Sequence, residues 1–384
     1  MTAEPEATGS PEPQATAAET SSAAPSADST ARPGADGGSA PQVTTAETDS
    51  GESSAAAQPT GSAEPHPVTE PSPDDNGGPQ PSGTEPEPNA APQADTVESP
   101  TVNAAQIRTD TGRFDGTGSG IAWRAWLPES AARAVIVLVH GVAEHSGRYV
   151  HVGRRLAAAG FAVYALDHIG HGKSAGHKAN IDSMDGAADN VSAMLDIATR
   201  EYPGIPRFLI GHSMGSLIVL HLATRAPIDV TGIVLSAPPL DISAGNAVQR
   251  ALAPVLTRIT PNLGVLQLDS THISRDPEVR RAYDNDPLVY RGKLPARTAT
   301  EILDTSVLVK GRLSRLTVPV LVLHGTADAL AAPSSTDLIE RGAGSKDLTA
   351  IRYDGLYHEI FNEPEQDKVL GDVVDWLETH VTDK

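Results

Sequence analysis

Three side chains able to make an alcohol nucleophilic occur in the order Ser213, Asp328 and His358. A serine hydroxyl is a weak nucleophile at neutral pH. It needs a base to take its proton, and the base needs a carboxylate to orient it and to stabilise its cation. Ser213 stands at the centre of Gly211-His212-Ser213-Met214-Gly215. Before it lies the apolar run Arg207-Phe208-Leu209-Ile210, and after it Leu217, Ile218, Leu220, Leu222 and Ala223 recur as on a buried helix. The reading is strand, tight turn, helix, with residues two before and two after the serine lacking side chains so that strand and helix can close on each other. Acyl transfer also needs N–H donors for the developing oxyanion. Met214, at the helix start, supplies one, and Val142, in the turn after His140-Gly141, supplies the other.

Asp328 and His358 both follow candidate strands. Gly325-Thr326-Ala327 joins the run 318–324 to Asp328, and Asp354-Gly355-Leu356-Tyr357 joins the run 348–353 to His358. Asp241 also follows a strand, and Asp354 lies four residues from His358, so both compete for the carboxylate role. Asp354-Gly355 reads more simply as a turn pair. Gly172-Lys173-Ser174-Ala175-Gly176 repeats the serine pattern, but no strand precedes it and no apolar helix follows, so it reads as a loop. Among thirteen histidines, His168-x-x-His171 with His177 beyond could suggest a metal. Gly170 and Gly172 mark a tight loop there, with no helix to set ligands on one face, and neither metal nor cofactor is expected.

The positioning elements alternate. Strands are expected at Gly112–Asp115, Ile121–Leu127, Ala134–Val139, Phe161–Leu166, Arg207–Ile210, Gly232–Ser236, Val318–His324 and Leu348–Tyr353. Helices are expected at about 149–159, 185–202, 300–310, from Pro333, and at about 364–380. Continuous apolar strands alternating with helices imply right-handed crossovers and a mostly parallel sheet covered on both faces. Residues 240 to about 296 interrupt the alternation. Val248, Leu252, Val255, Leu256 and Ile259 mark one amphipathic helix there, and Pro261, Gly264, Pro277 and Pro287 break the rest, which suggests a cap over the carboxyl ends of the strands.

Composition bounds the remainder. Of the formal charge of −20, residues 1–100 carry −16, from 17 Asp and Glu against the single Arg32. The same residues hold 17 of the 31 prolines and no Phe, Trp or Tyr. So little apolar surface cannot offset the entropy of ordering the backbone, and 1–103 is expected to be a disordered acidic tail, with one catalytic domain over 104–384. No cysteine is present, so disulfides and thiolate chemistry are excluded. No basic stripe exists to replace phosphate counterions, which argues against nucleic acid. Neither a signal peptide nor an apolar stretch of membrane-spanning length is seen, and a cytoplasmic location is the expectation.

Taken together, six motifs resemble the monoacylglycerol lipases of the α/β-hydrolase superfamily across roughly residues 108–384. They are His140-Gly141-Val142-Ala143-Glu144-His145-Ser146-Gly147-Arg148-Tyr149, Asp167-His168-Ile169-Gly170-His171-Gly172-Lys173-Ser174, Gly211-His212-Ser213-Met214-Gly215, Asp284-Asn285-Asp286-Pro287-Leu288-Val289, His324-Gly325-Thr326-Ala327-Asp328 and Tyr357-His358-Glu359. The resemblance implies the α/β-hydrolase fold and hydrolysis of a single acyl chain esterified to glycerol, without a cofactor. It puts Ser213, Asp328 and His358 on the triad positions and Val142 and Met214 on the oxyanion positions. Glu144, Arg148, His212 and Tyr283 fall on polar positions around the glycerol end, where each could equally serve a salt bridge or turn.

The resemblance also implies that residues 240–296 form the cap, which contacts membrane or micelle surfaces peripherally and guides the acyl chain. Ser216, where family members often carry glycine, is expected to crowd the turn slightly. The function expected is a serine esterase cleaving monoacylglycerol through an acyl-enzyme. A lysophospholipase or broad carboxylesterase of the same fold is the first alternative, and a non-catalytic lipid-binding hydrolase fold the second.

Overall fold

A computed structural model describes residues 107–382 apart from residue 119 and residues 243–256. The expected tail and most of the amphipathic helix marked by Val248, Leu252, Val255 and Leu256 lie outside the described residues.

Eight strands form one sheet in the order β1-β2-β4-β3-β5-β6-β9-β10. β1 (Ile107–Phe114) and β2 (Ile121–Pro128) make an antiparallel hairpin at one edge, and β2 pairs antiparallel with β4 (Phe161–Leu166). The rest is parallel: β3 (Ala134–Val139), β5 (Arg207–His212), β6 (Gly232–Ser236), β9 (Val320–Gly325) and β10 (Leu348–Tyr353). The first strand begins five residues before the expected Gly112, because its polar stretch Arg108–Thr111 is an exposed edge that carries no apolar signal.

Period-two alternation explains why β3 reads as unbroken apolar sequence. Val135, Val137 and Val139 point into one core and Ala134, Ile136 and Leu138 into the other. Helices α2 (Met184–Glu201) and α3 (Met214–Arg225) close the first face, with Val191, Met194 and Leu217 buried there. Helix α1 (Val150–Ala158) and the last helix close the second, through Val152, Leu156, Val369 and Val373.

Residues 257–296 depart from expectation. Pro277 does not break structure but opens helix α4 (Pro277–Asn285), where it stands in the first turn after the cap residue Asp276. A proline ring is preorganised for that position and its missing N–H would be unpaired there anyway. Strand β7 (Gly264–Leu266) pairs with β8 (Leu294–Pro295), and α5 (Ala296–Lys310) starts four residues before the expected Thr300. Tyr290 N–H donates to Ala143 O at 2.8 Å, and His145 Nε2 lies 2.9 Å from Asp286 Oδ2, fastening this segment to the turn after β3. Helices α6 (Ser334–Gly342) and α7 (Gln366–Thr382) complete the described chain. Among its helices none is long and apolar enough to cross a membrane.

Candidate active site

Ser213 occupies φ 52°, ψ −122°, between the end of β5 and the start of α3. A non-glycine residue pays strain for that backbone, and such strain persists only when its surroundings over-determine it. Here they do. A Cβ on Gly215 would stand 2.0 Å from Val139 O, and one on Gly211 would stand 2.6 Å from Ser216 Cα. The Ser213 N–H donates to Ser236 O at 2.9 Å. Ser216 does more than crowd the turn: fully buried, its hydroxyl lies 2.8 Å from Gly211 O and 2.9 Å from Ser236 O, bridging the ends of β5 and β6.

Asp328 and His358 meet in space. His358 Nδ1 lies 2.8 Å from Asp328 Oδ2, while Asp328 Oδ1 accepts the N–H groups of Leu330 (2.8 Å) and Ala331 (2.9 Å). Burial works against the Asp328 charge, yet His358, His324 and the Ala331 N–H hold its carboxyl well below the usual carboxylate range. Burial likewise pushes the His358 imidazole down, but Asp328 beside it, with Glu359 and Glu144 beyond, lifts it above its ordinary value. The competing carboxylates are engaged elsewhere, Asp241 with Ser334 Oγ and Asp354 with Thr326 Oγ1.

Ser213 and His358 line one cavity of about 200 Å³. Among the described residues the Ser213 hydroxyl makes no hydrogen bond, and catalytic contacts of this kind commonly tighten only when substrate is bound. Gly141, Val142 and Met214 line the same cavity, and the N–H groups of Val142 and Met214 are unpaired among the described residues. The N–H of Gly141, one residue earlier, is taken by Glu144 Oε1 at 2.6 Å. That bond, with Ala143 at φ 66°, sets the course of the turn.

The cavity has two kinds of wall. Leu268, Ile273, Leu294, Ile302, Leu303 and Leu330 are its apolar lining. Behind its polar lining, Arg148 joins two buried carboxylates, donating to Glu144 Oε2 at 2.8 Å and to both oxygens of Glu359 at 2.6 and 2.7 Å. Its guanidinium lies 4.7 Å from the centre of the Tyr283 ring. Tyr149 also donates to Glu144 Oε1, at 2.6 Å. Burial raises the Glu144 carboxyl. At Glu359 burial acts the same way but Arg148 prevails, and the carboxyl is lowered. His212 packs 4.9 Å from the His358 ring with Nδ1 3.0 Å from Ser236 Oγ, and burial, then His358, push it down to about 3, so it is a neutral neighbour of His358.

Glu359 and His324 were present in the sequence motifs but given no role there. The only signal for Glu359 is a second carboxylate beside His358, and its partner Arg148 is 211 residues away. Two further buried histidines tie strands together. His140 and His168 pack with tilted rings whose centres are 4.3 Å apart, and the His168 backbone N–H donates to His140 Nε2 at 3.0 Å, tying the ends of β3 and β4 together. Burial, then His171, push His168 down to about 3. The second serine motif is a loop staple: Ser174 Oγ donates to Asp167 O and accepts the Ala122 N–H.

The family model described as Hydrolase_4, Serine aminopeptidase, S33 matches residues 130–365. A monoacylglycerol lipase of Mycolicibacterium smegmatis is 41% identical over 270 residues, 70% of this chain and 96% of that protein. The chain belongs to the monoacylglycerol lipase family of the α/β-hydrolases. Another member, the Homo sapiens monoglyceride lipase, is 34% identical over 64% of this chain and 82% of its own length. The crystal structure of the Paleococcus ferrophilus monoacylglycerol lipase superposes with a TM-score of 0.61 at 33% identity, covering 72% of this chain and 99% of that one. As a family member the protein is an ester hydrolase.

Proposed function

We propose that the protein hydrolyses monoacylglycerol to glycerol and a free fatty acid, with Ser213 as nucleophile, His358 as base and Asp328 as the carboxylate that orients it. His358 takes the Ser213 proton as Oγ attacks the ester carbon, and the N–H groups of Val142 and Met214 receive the oxyanion. The tetrahedral intermediate collapses with the His358 proton passing to the glycerol oxygen, and water, activated by the same imidazole, then releases the fatty acid from the acyl-enzyme. The observation that carries this reading is the 2.8 Å contact of His358 Nδ1 with Asp328 Oδ2 at the wall of a cavity that Ser213 also lines.

The polar lining supports a glycerol leaving group over a phosphorylated one. Glu144, Glu359 and Tyr283 line the cavity, no Lys or Arg lines it among the described residues, and the Arg148 guanidinium behind them is shared by the two carboxylates. Like charges brought together in a desolvated site cost several kcal/mol. A monoacylglycerol and a lysophospholipid of the same acyl chain are the test. The expected outcome is at least about tenfold faster release from the glycerol ester, a difference of about 1.4 kcal/mol. Equal rates would favour the lysophospholipase reading.

Exposed Ile259, Leu263 and Val265 on the cap support peripheral contact with lipid aggregates. Specific activity on the same ester should rise as the substrate passes from monomer to micelle, and a rate that follows monomer concentration alone would contradict that contact.

A further inference from the structure

The carboxylate that orients the base carries a second histidine. His324, near the end of β9, is fully buried, and its Nε2 lies 3.1 Å from Asp328 Oδ2 and 3.0 Å from Ala331 O. A carbonyl oxygen only accepts, so Nε2 holds the proton and shares it between the two oxygens. On the far side of the ring, Nδ1 lies 3.1 Å from Thr336 Oγ1, which is itself fully buried and has no other side-chain partner among the described residues. With the Thr336 hydrogen directed at Nδ1, every polar atom of this group is satisfied. An imidazolium would leave that hydrogen without an acceptor.

We propose that His324 is a positioning residue for the acyl transfer: in a tautomer fixed by Thr336, it donates to the same Asp328 oxygen that receives the His358 Nδ1–H. The inference rests on the roles assigned above to Ser213, Asp328 and His358.

Four donors then surround one carboxylate, His358 and His324 on Oδ2 and the N–H groups of Leu330 and Ala331 on Oδ1. No rotation of the group keeps all four. Each donor also spreads the negative charge, so His324 moderates the pull of Asp328 on the base. The titratable groups facing His358 are Asp328, His212, Glu359 and Glu144, with Arg148 between the two glutamates, and Asp328 is the one that His324 touches. Losing the His324 donor leaves the Oδ2 charge to His358 alone. The imidazolium is then better stabilised, and the acid limb of kcat/KM moves to higher pH by about 0.5 to 1 unit.

The test compares pH profiles of kcat/KM on a soluble monoacyl ester for the full chain and for His324→Met, His324→Gln and Thr336→Val. His324→Met is expected to move the acid limb upward by that amount. His324→Gln, whose amide N–H stands near the position of Nε2–H, is expected to restore most of the wild-type profile. Thr336→Val, which removes only the hydroxyl, is expected to move the limb the same way by less. An unmoved limb in both His324→Met and Thr336→Val would overturn the proposal.

Because a buried substitution can cost the fold, the tautomer is also read in the unsubstituted protein from its 15N-histidine spectrum. A proton on His324 Nε2 alone supports the proposal, and a proton on Nδ1 overturns it. An unsubstituted protein without Ser213-dependent hydrolysis would overturn the underlying reading together with the inference, whereas an active one with unmoved limbs would overturn the inference alone.

Discussion

The Nδ1 of His358 stands 2.8 Å from Oδ2 of Asp328, which fixes the ring so that Nε2 is the nitrogen left for the substrate side. The direction of the His358 shift gives a sign for pH dependence. Burial lowers the imidazole, but Asp328, Glu359 and Glu144 together raise it above the ordinary value of 6.5. A raised pKa means the working, neutral form is lost sooner as pH falls. The acid limb of kcat/KM should therefore have its midpoint above 6.5. A profile flat from about pH 5 to 8 would remove His358 as the base.

Glu144 links the polar lining of the cavity to the turn that carries the Val142 N–H. Its Oε1 accepts the Gly141 N–H at 2.6 Å and its Oε2 holds Arg148. Glu144→Ala should lower kcat by about 10²-fold, the usual effect of losing one oxyanion donor, and destabilise the fold by about 1–3 kcal/mol, because a buried N–H is left unpaired. Glu144→Gln keeps an acceptor for Gly141 and should retain more of both. Steady-state kinetics with thermal unfolding of the two variants checks this, and equal kcat in Glu144→Ala and wild type would refute the link.

The glycines of the turn make a stability prediction separate from chemistry. Gly215→Ala would put a Cβ 2.0 Å from the backbone oxygen of Val139, which cannot yield without distorting β3. A loss of about 3 kcal/mol or more is expected, read as a fall in Tm of roughly 6 °C or more. Ser216→Ala removes only a hydroxyl bound to two carbonyls and should cost about 1 kcal/mol. The order of the two Tm values is the check, and a Gly215→Ala protein as stable as Ser216→Ala would contradict the close packing of α3 on β3.

The parts of this architecture that were legible are those enforced locally. β3 and β5 announce themselves as unbroken apolar runs because helices cover both faces. Ser213 is marked by the two glycines that the close approach of α3 requires. Asp328 and His358 could be proposed because each follows a strand that ends at the same rim. The less legible parts depend on partners distant in the chain. Arg148 pairing with Glu359 across 211 residues leaves no period or composition to read. Pro277 was ambiguous for another reason: the same ring that ends one helix begins another, and only the chain before it decides. β1 was shortened because an exposed edge needs no apolar residues.

Turnover requires Ser213 to attack the monoacylglycerol ester. Glycerol release from a monoacylglycerol, followed for the full chain and for Ser213→Ala at equal concentration, measures that directly. The wild type is expected to turn over, and the substitution to lower kcat by about 10⁴-fold or more with folding intact. A folded Ser213→Ala protein that releases glycerol at a rate near wild type would contradict it.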